Sequence, residues 1–247
     1  PLAPSTLSNA WCAIRSFYTW ASDELHIERP DTQLQQPRFT RPEVPPFSQD
    51  DIEKLLDAAQ YTATANTDRR KRFRMKRATG QRDLAIVLLL LDTGLRVSEC
   101  ARLRVQDVNL ETGEVYVMPW GSGQKTKSRH VYLGKATRRA VWLYLASRPD
   151  RRDDDPLFEA RGKPMDRGTI RHILGNLGER AGVPDVHPHR FRHTFAIQYL
   201  RNGGDVFSLQ RLLGHSTLDM VRRYLSLADA DSANAHRRAS PVDRWRL

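Results

Sequence analysis

Near its C-terminal end, the sequence carries side chains that together could break and remake a phosphodiester bond. Arg192 offers a planar guanidinium that can hold two phosphate oxygens and stays charged. His189, His193 and His215 are proton carriers near neutral pH. Tyr224 is a phenol with an ordinary pKa of about 10, so it attacks only with the help of a base or of nearby cations. A tyrosine surrounded by arginine and histidine is a metal-free set of groups for phosphodiester transesterification.

Three short helices are predicted to position these side chains. From residue 190 to 200 the apolar residues recur at helical spacing, and Gly203 follows as a stop signal. Asp205 can cap a second helix that ends at Gly214, which places the last histidine on a tight helix–helix turn. A third helix then carries Tyr224 near its far end. The spacing therefore predicts that the groups come together on neighbouring helix ends.

Each of these residues also has an ordinary structural interpretation. A tyrosine at helical spacing is usually part of a core, a lone histidine is usually structural, and an arginine on a helix is usually solvated. The joint pattern favours a common role: His-x-x-Arg-His, then Leu-Leu-Gly-His with its histidine 22 residues after His193, then a tyrosine nine residues further on.

This pattern resembles the C-terminal motif of the tyrosine recombinases, the phage-integrase family of site-specific DNA recombinases. The family motif reads roughly His-x-Leu-Arg-His-Thr-Phe-Ala, then Leu-Leu-Gly-His, then Tyr, and here Phe191 replaces the first leucine. Thr-Gly-Leu-Arg-Val-Ser-Glu, which contains Arg96, is similar to the family's first arginine motif. The resemblance covers about residues 47–247. It implies a mainly α-helical fold with a small antiparallel β-sheet.

The resemblance also implies roles for particular residues in a DNA strand transferase. Its catalytic set is Arg96, Lys125, His189, Arg192, His215 and Tyr224. The arginines would neutralise phosphate oxygens while the tyrosine forms a 3′-phosphotyrosyl link. His189 would be the general base, the lysine would protonate the departing 5′ oxygen, and His215 would hydrogen-bond a phosphate oxygen. Glu99 and His193 would hold these catalytic side chains in position without contacting the phosphate. The resemblance implies no cofactor and no metal.

Two of these assignments stay open when the residues are considered alone. Arg96 lies between two helices, where it could hold phosphate or form a cap or an ion pair. A lysine on the glycine-containing hairpin loop could protonate a leaving oxygen or be a solvated charge. In one version of the family's hairpin motif the lysine lies in a Gly-Lys-Gly sequence, and Ser122 stands at that position here. Lys125 fits the other version, Lys-Thr, and Lys127 is the alternative candidate for the catalytic lysine.

Composition favours an intracellular protein that binds a polyanion. The length of 247 residues is enough for one large domain or one domain plus a fragment, and the hydrophobic content of 39% supports a core. The net charge is +11 and the pI is about 10.1, which favours binding to a polyanion. Double-stranded DNA is the first candidate partner, and an inert basic surface is the alternative. Two cysteines give no disulfide framework or zinc spacing. With no signal peptide and no long apolar run, we expect a cytoplasmic, DNA-associated protein without a membrane segment.

The proline-rich stretch around residues 30–46 divides the chain. Residues 1–41 are interpreted as the C-terminal remnant of a helical core-binding domain plus the start of a linker, with a helix over 5–25 that Ser5 caps. Because the chain starts with Pro1, we expect a truncated or processed product. Residues 42–247 would form the catalytic domain. Its C-terminal tail helix would dock on a neighbouring protomer of a homotetramer on synapsed DNA, or pack on its own protomer.

Basic side chains outside the motif are candidate DNA contacts. The segment from residue 69 to 77 has seven basic residues in nine, so it should repel itself and stay mobile until it meets an anion; a solvated loop is the alternative. A helix over 167–180, which Asp166 can cap, is a candidate groove or backbone reader. The candidates are Arg69, Arg70, Lys71, Arg72, Arg74, Lys76, Arg77, Lys127, Arg129, Arg167 and Arg171.

The small sheet is expected to have three strands, at 105–110, around 115–118 and at 130–133.

Three other functions stay open at this point. A type IB topoisomerase shares the chemistry but needs no paired sites. A DNA-binding protein with an inactive site would use the basic surface to bind DNA without cutting it. A metalloenzyme could use His187, His189, His193 and His215, although no supporting carboxylate is evident; activity that survives EDTA would remove this possibility.

Overall fold

A computed structural model describes residues 2–37, 44–66, 71–119, 128–215, 224 and 240. The chain forms two compact units, Pro1–Val44 and Pro45–Leu247. No helix among the described residues has both the length and the apolar character that a membrane crossing requires.

The first unit consists of helix α1, Pro4–Leu25, and a short 3-10 turn at Pro30–Gln33. The prediction that Ser5 caps α1 is wrong: Ala3 is the N-cap, because Pro4 has a fixed φ that suits the first helical position. The Trp11 indole donates to the Leu34 carbonyl at 3.2 Å. Large apolar side chains remain exposed along α1, among them Leu7, Ile14, Phe17, Trp20 and Leu25. Its assignment to a core-binding domain stays a prediction.

The second unit is built from helices around a large apolar core, with a smaller apolar cluster on α7 and α8. Among the residues that the structure describes, its helices include α2 Gln49–Gln60, α3 Gly80–Thr93, α4 Val97–Cys100, α5 Lys135–Ala146, α6 Arg167–Ala181, α7 Pro188–Arg201 and α8 Val206–Leu213. Helix α3 is buried on most of its circumference and packs against α2, α5 and α7. Side-chain caps start several helices. Asp166 caps α6 and Asp205 caps α8, as the sequence predicts, and Ser48 caps α2.

The described part of this unit also contains two small antiparallel sheets. Strand β1, Glu114–Val117, pairs with β2, Arg129–Tyr132, and β3 and β4 are the two-residue strands Glu159–Ala160 and Lys163–Pro164. The predicted strand over 105–110 is wrong. Val105–Asp107 is a 3-10 turn, because the Arg104 amide donates to Asp107 Oδ2 at 2.8 Å, and Val108 makes an isolated bridge to Val115. The predicted class, mainly α with a small antiparallel sheet, is confirmed.

Helix α7 is fixed to the beginning of the second unit. The Arg190 guanidinium is buried, lies 4.0 Å from the Phe47 ring centre, and donates to the Pro45 carbonyl at 3.0 Å and the Pro184 carbonyl at 2.7 Å. The Phe47 amide donates to Thr194 Oγ1 at 2.9 Å. These contacts leave α7 little freedom to slide, so the side chains of its first turns have fixed positions.

Candidate active site

The first wall of the site is the turn between α3 and α4. Gly94 closes α3 with a φ of +62°, and a Cβ there would lie 2.4 Å from Phe195 Cδ1 and 2.9 Å from Leu213 Cδ2. Glycine is therefore required both by the left-handed backbone and by the close packing of α7 and α8. Arg96 follows as the N-cap of α4 and remains partly exposed.

Arg192 projects from α7 into this turn. Its Nη1 donates to the Gly94 carbonyl at 2.8 Å, and its Nη2 donates to the Leu213 carbonyl at 2.8 Å. The same Nη2 lies 2.7 Å from His215 Nε2. Burial, followed by the nearby charge of Arg96, lowers the pKa of Arg192 to about 10, so the guanidinium remains charged at neutral pH. The arginine thus joins the ends of α3 and α8.

Glu99 is a buried carboxylate shared by two arginines. Its Oε2 accepts from the Arg96 amide at 2.7 Å, and its Oε1 lies 3.2 Å from Arg96 Nη1. Arg129 forms a fork on the same carboxylate, at 2.9 and 2.8 Å. Burial by itself would raise the pKa of Glu99, but the hydrogen bonds and charges of Arg129 and Arg96 outweigh it and hold the pKa below its ordinary value.

His215 follows Gly214, the left-handed residue that ends α8. Because His215 Nε2 faces a donor on Arg192, it must be the lone-pair nitrogen, so the neutral ring carries its proton on Nδ1. Within the described residues nothing accepts from this buried Nδ1. Burial, then the charges of Arg192, Arg96 and Arg129 and of His189, lower the pKa of His215 to about 4. The ring is therefore a neutral donor at physiological pH.

This shift predicts a pH-dependent stability. In the unfolded chain the imidazole has an ordinary pKa near 6.5, whereas the folded value is about 4. Between these values the unfolded state binds more protons, so the free energy of unfolding should fall as pH decreases from about 6.5 to about 4. The loss should reach at most about 3.5 kcal/mol, at roughly 1.4 kcal/mol per pH unit. Burial lowers the pKa of His187 as well, which adds to the same slope.

Urea unfolding at several pH values measures this slope. His215→Gln removes the titrating ring and should flatten the dependence between pH 6.5 and 4 relative to the unmodified chain. Equal slopes in the two proteins would show that His215 does not titrate as the buried cluster requires.

The remaining motif residues lie beside this cluster. His189 is exposed on the first turn of α7, and its charge is one of those that lower the pKa of His215. His193, one turn further, has its ring centre 5.4 Å from that of Tyr224. Tyr224 is 7% exposed and packs with Ala196 and other apolar residues of α7 and α8. The structure thus brings Arg96, Glu99 and the motif residues of α7 and α8 together with the tyrosine.

Two candidate lysines and part of the basic segment lie outside the described residues. These are Lys125, Lys127, Arg69 and Arg70. Their predicted roles rest on the sequence alone.

The described half of the basic segment is paired, which differs from the mobile loop that the sequence predicts. Ala65 and Phe73 exchange backbone hydrogen bonds at 2.9 and 3.0 Å, and Tyr61 bridges Lys76. Arg74 forms an ion pair with Asp57 on α2. The segment precedes α3, whereas Arg96 follows it, so about 20 Å of helix separates the two, at 1.5 Å per residue.

The charges of this segment divide into two groups. Arg77 is directed inward, donating to the Ala58 and Ala59 carbonyls and pairing with Asp83, which is 1% exposed. Three others, Lys71, Arg72 and Lys76, have exposed side chains. Outward-facing cations are suited to an anionic surface, whereas Arg74 and Arg77 hold the segment to the domain.

Helix α6 presents Arg167 and Arg171 at its exposed N-terminal half. The charge of Arg171 contributes to lowering the pKa of His187, the N-cap of α7. Arg171 therefore lies close enough to His187 for its charge to act on that ring, and Arg167 precedes it by one helical turn.

Sequence reasoning missed the residues that hold the site from behind. The sequence predicts that Arg129 is an exposed DNA contact, but its side chain is only 8% exposed and forms an ion pair with Glu99. Arg190 and Thr194, which fix α7, carried no signal because the Pro45 carbonyl and the Phe47 amide that they bind lie more than a hundred residues away. No group of three potential metal-ligating side chains occurs among the residues the structure describes.

Comparison with known proteins extends the likeness over most of the chain. Residues 46–231 match the phage integrase family. The chain is 32% identical to the tyrosine recombinase XerC of Oceanobacillus iheyensis over 250 residues, spanning 97% of this chain and 76% of that one. It is 34% identical to XerC of Bacillus subtilis over 232 residues, spanning 90% and 70%.

Solved structures share the fold. XerA recombinase superposes with a TM-score of 0.61 at 29% identity, covering 94% of this chain and 75% of that chain. The Tn1549 transposon integrase, solved in complex with transposon right end DNA, gives a TM-score of 0.74 at 21% identity, covering 97% and 81%.

The fold and the cluster of arginines, histidines and tyrosine define a tyrosine recombinase, an enzyme of site-specific DNA recombination. The topoisomerase and inactive-binder alternatives are not favoured. The chain belongs to the phage integrase family.

Proposed function

We propose that this site-specific recombinase cuts and rejoins DNA through a covalent 3′-phosphotyrosyl intermediate on Tyr224. The observation that carries the proposal is the convergence of Arg192, His215 and the Glu99–Arg96 pair at the ends of α3, α7 and α8. Two guanidinium groups and a neutral histidine donor form a pocket that favours a dianionic, pentacoordinate phosphorus. Tyr224 packs against α7 beside His193.

The proposed reaction is a balanced transesterification. The Tyr224 oxygen attacks phosphorus and forms a P–O bond while the bond to the 5′ oxygen breaks. His189 accepts the phenol proton, and Lys125, or Lys127 in its place, gives a proton to the departing 5′ oxygen. The reverse step uses the 5′ hydroxyl of another strand. Because the phosphotyrosyl bond conserves the energy of the phosphodiester, the exchange needs no ATP, and the arginine charges take the part that a metal ion has in other enzymes.

Arg96 and Arg192 would neutralise the non-bridging phosphate oxygens. The Nδ1–H of His215, which has no acceptor among the described residues, would donate to one of them. Both guanidinium groups are already held by carbonyl or carboxylate oxygens of the protein. Their reorganisation on binding phosphate is therefore small, which is what transition-state stabilisation requires.

The DNA surface would extend from α6 to the outer face of the basic segment. Arg167 and Arg171 are exposed on α6, and Lys71, Arg72 and Lys76 are exposed on the basic segment. Arg69, Arg70 and Lys127 are included on charge alone. Such contacts would add affinity and salt dependence rather than sequence choice. Arg74, Arg77 and Arg129 hold the protein together instead.

We further propose an assembly suited to strand exchange. Recombination breaks every strand of both duplexes, so one protomer per strand gives a homotetramer, and the tail beyond Tyr224 would exchange between neighbours. Residues 1–41 would belong to a core-binding domain and linker, residues 42–247 to the catalytic domain, in an enzyme that acts on DNA in the cytoplasm. Exposed apolar side chains along α1 are consistent with packing against further helices.

Covalent trapping tests the reaction. The protein is incubated in EDTA with nicked duplexes that carry candidate sites, and denaturing gels are examined for a protein–DNA adduct. An adduct in EDTA supports the tyrosine mechanism, and relaxation of supercoiled plasmids without any such site would instead indicate a topoisomerase. Salt-sensitive DNA binding with no adduct on any duplex would contradict the proposed reaction for this chain.

A further inference from the structure

Arg129 has the most completely occupied side chain around the candidate site. Its Nη1 and Nη2 donate to the two oxygens of Glu99, at 2.9 and 2.8 Å, and its Nε donates to the Leu212 carbonyl at 2.7 Å. The side chain is 8% exposed, and that of Glu99 is 5% exposed. A buried guanidinium engaged on both of its edges is a structural joint, not a surface charge.

This joint connects three segments that are distant in sequence. Arg129 begins β2, Glu99 lies in α4, and Leu212 lies in the last turn of α8. The α8 turn also packs directly on the guanidinium: a Cβ on Gly214 would lie 3.1 Å from Arg129 Nη1 and 3.3 Å from its Cδ. The left-handed glycine thus allows the turn to approach Arg129 closely.

Each end of the joint touches a group that would act on the phosphate. Glu99 holds both the amide and the guanidinium of Arg96. Gly214 immediately precedes His215, whose Nε2 lies 2.7 Å from Arg192. Displacement of Arg129 would therefore release Arg96 on one side and the His215 turn on the other.

We propose that Arg129 is a positioning residue for DNA cleavage, which fixes the Glu99 carboxylate behind Arg96 and the Leu212–Gly214 turn before His215. The inference rests on the proposed function and adds a residue that acts through others. It replaces the exposed DNA contact that the sequence predicts for Arg129.

A lysine cannot reproduce this arrangement. Its single ammonium group can pair with Glu99 but cannot span both carboxylate oxygens and also reach the Leu212 carbonyl. A lysine at position 129 therefore keeps the charge near Glu99 and loses the hydrogen bond to α8. This substitution separates the contribution of the ion pair with Glu99 from that of the bond to the Leu212 carbonyl.

The test compares Arg129→Gln and Arg129→Lys with Arg138→Gln. Arg138 is a matched control, because it is also partly buried and donates to backbone carbonyls, those of Leu110 and Glu111, away from the candidate site. Three quantities are measured for each variant: the single-turnover rate of adduct formation on a nicked duplex, the DNA dissociation constant, and the melting temperature.

We expect Arg129→Gln to slow adduct formation by on the order of 100-fold, the effect of small misplacements in an active site, with DNA affinity close to that of the unmodified protein. Arg129→Lys should recover part of the rate. Arg138→Gln should lower the melting temperature and leave the rate unchanged. A normal rate in Arg129→Gln, or an equal loss of rate in Arg138→Gln, would overturn the proposal.

A second readout does not depend on cleavage. The charge of Arg129 is among those that lower the pKa of His215. NMR titration of the His215 ring should show a raised pKa in Arg129→Gln, and no change in Arg138→Gln. If the unmodified protein forms no adduct, the proposed reaction fails, and this titration decides the role of Arg129 alone. A His215 pKa that is the same in Arg129→Gln as in the unmodified protein would refute the positioning role. If Arg129→Gln does not fold, the single-turnover rate of Arg129→Lys carries the test, and a rate equal to that of the unmodified protein would refute the role.

Discussion

Tyr224→Phe is expected to abolish the covalent protein–DNA adduct while the protein still folds and binds DNA. The substitution removes only the phenol oxygen, the proposed nucleophile, so no phosphotyrosyl bond can form. The ring itself is buried in a hydrophobic cluster that includes Ala196 and Leu213, and phenylalanine preserves this packing. The expected cost in the free energy of unfolding is about 1 kcal/mol or less. Denaturing gels after incubation with a nicked duplex measure the adduct, and gel shifts measure binding.

Tyr199→Phe is the matched control for this experiment. Tyr199 is partly buried and packs on the same small cluster through Phe195, but it lies toward the end of α7 away from Arg192. Its adduct yield should equal that of the unmodified protein. A persistent adduct in Tyr224→Phe would assign the nucleophile to another residue and remove the central step of the proposed reaction.

Arg192→Gln is expected to reduce the single-turnover cleavage rate by at least about 1000-fold, because loss of one preorganised donor already costs 100- to 1000-fold in comparable sites. The substitution should also destabilise the fold. Arg192 binds the carbonyls of Gly94 and Leu213, and glutamine cannot satisfy both. Leaving such buried acceptors unpaired costs about 2–3 kcal/mol, which urea unfolding would measure.

Two variants separate these effects. Arg192→Lys keeps a charge near the phosphate but loses the planar fork, so we expect most of the rate loss to remain. Arg201→Gln changes an exposed arginine on the same helix and should shift the unfolding free energy by about 0.5 kcal/mol or less, with a normal rate. An Arg192→Gln protein that cleaves within tenfold of the unmodified rate would contradict the role of this guanidinium.

These expectations share one physical basis. The charged groups of the site are held by backbone carbonyls at helix ends and by one buried carboxylate, Glu99. Helix C-termini expose carbonyls that lack helical partners, and such carbonyls favour cations. Arg192 uses the ends of α3 and α8 in this way, and Arg129 uses the end of α8. The cations are therefore fixed before any phosphate arrives.

The sequence by itself determined the features that depend on neighbouring residues. Apolar spacing and the caps Asp166 and Asp205 predicted α6 and α8 nearly as observed, because capping and helical periodicity are local properties. The motif spacing indicated a phosphate site on the first turns of α7 and on the turn at Gly214. The local pattern gave the wrong structure at residues 105–107. The apolar residues there suggested a strand, but the Asp107 carboxylate caps the Arg104 amide and favours a 3-10 turn.

Only the tertiary structure decided how the charges are shared. Nothing in the sequence distinguishes Arg129, which is buried on Glu99, from its basic neighbours, because its partners lie 30 and 83 residues away. The same holds for Arg190, which binds the Pro45 carbonyl across 145 residues. Burial and mutual repulsion then lower the pKa of His215 to about 4, an effect of distances between helices that no local pattern encodes.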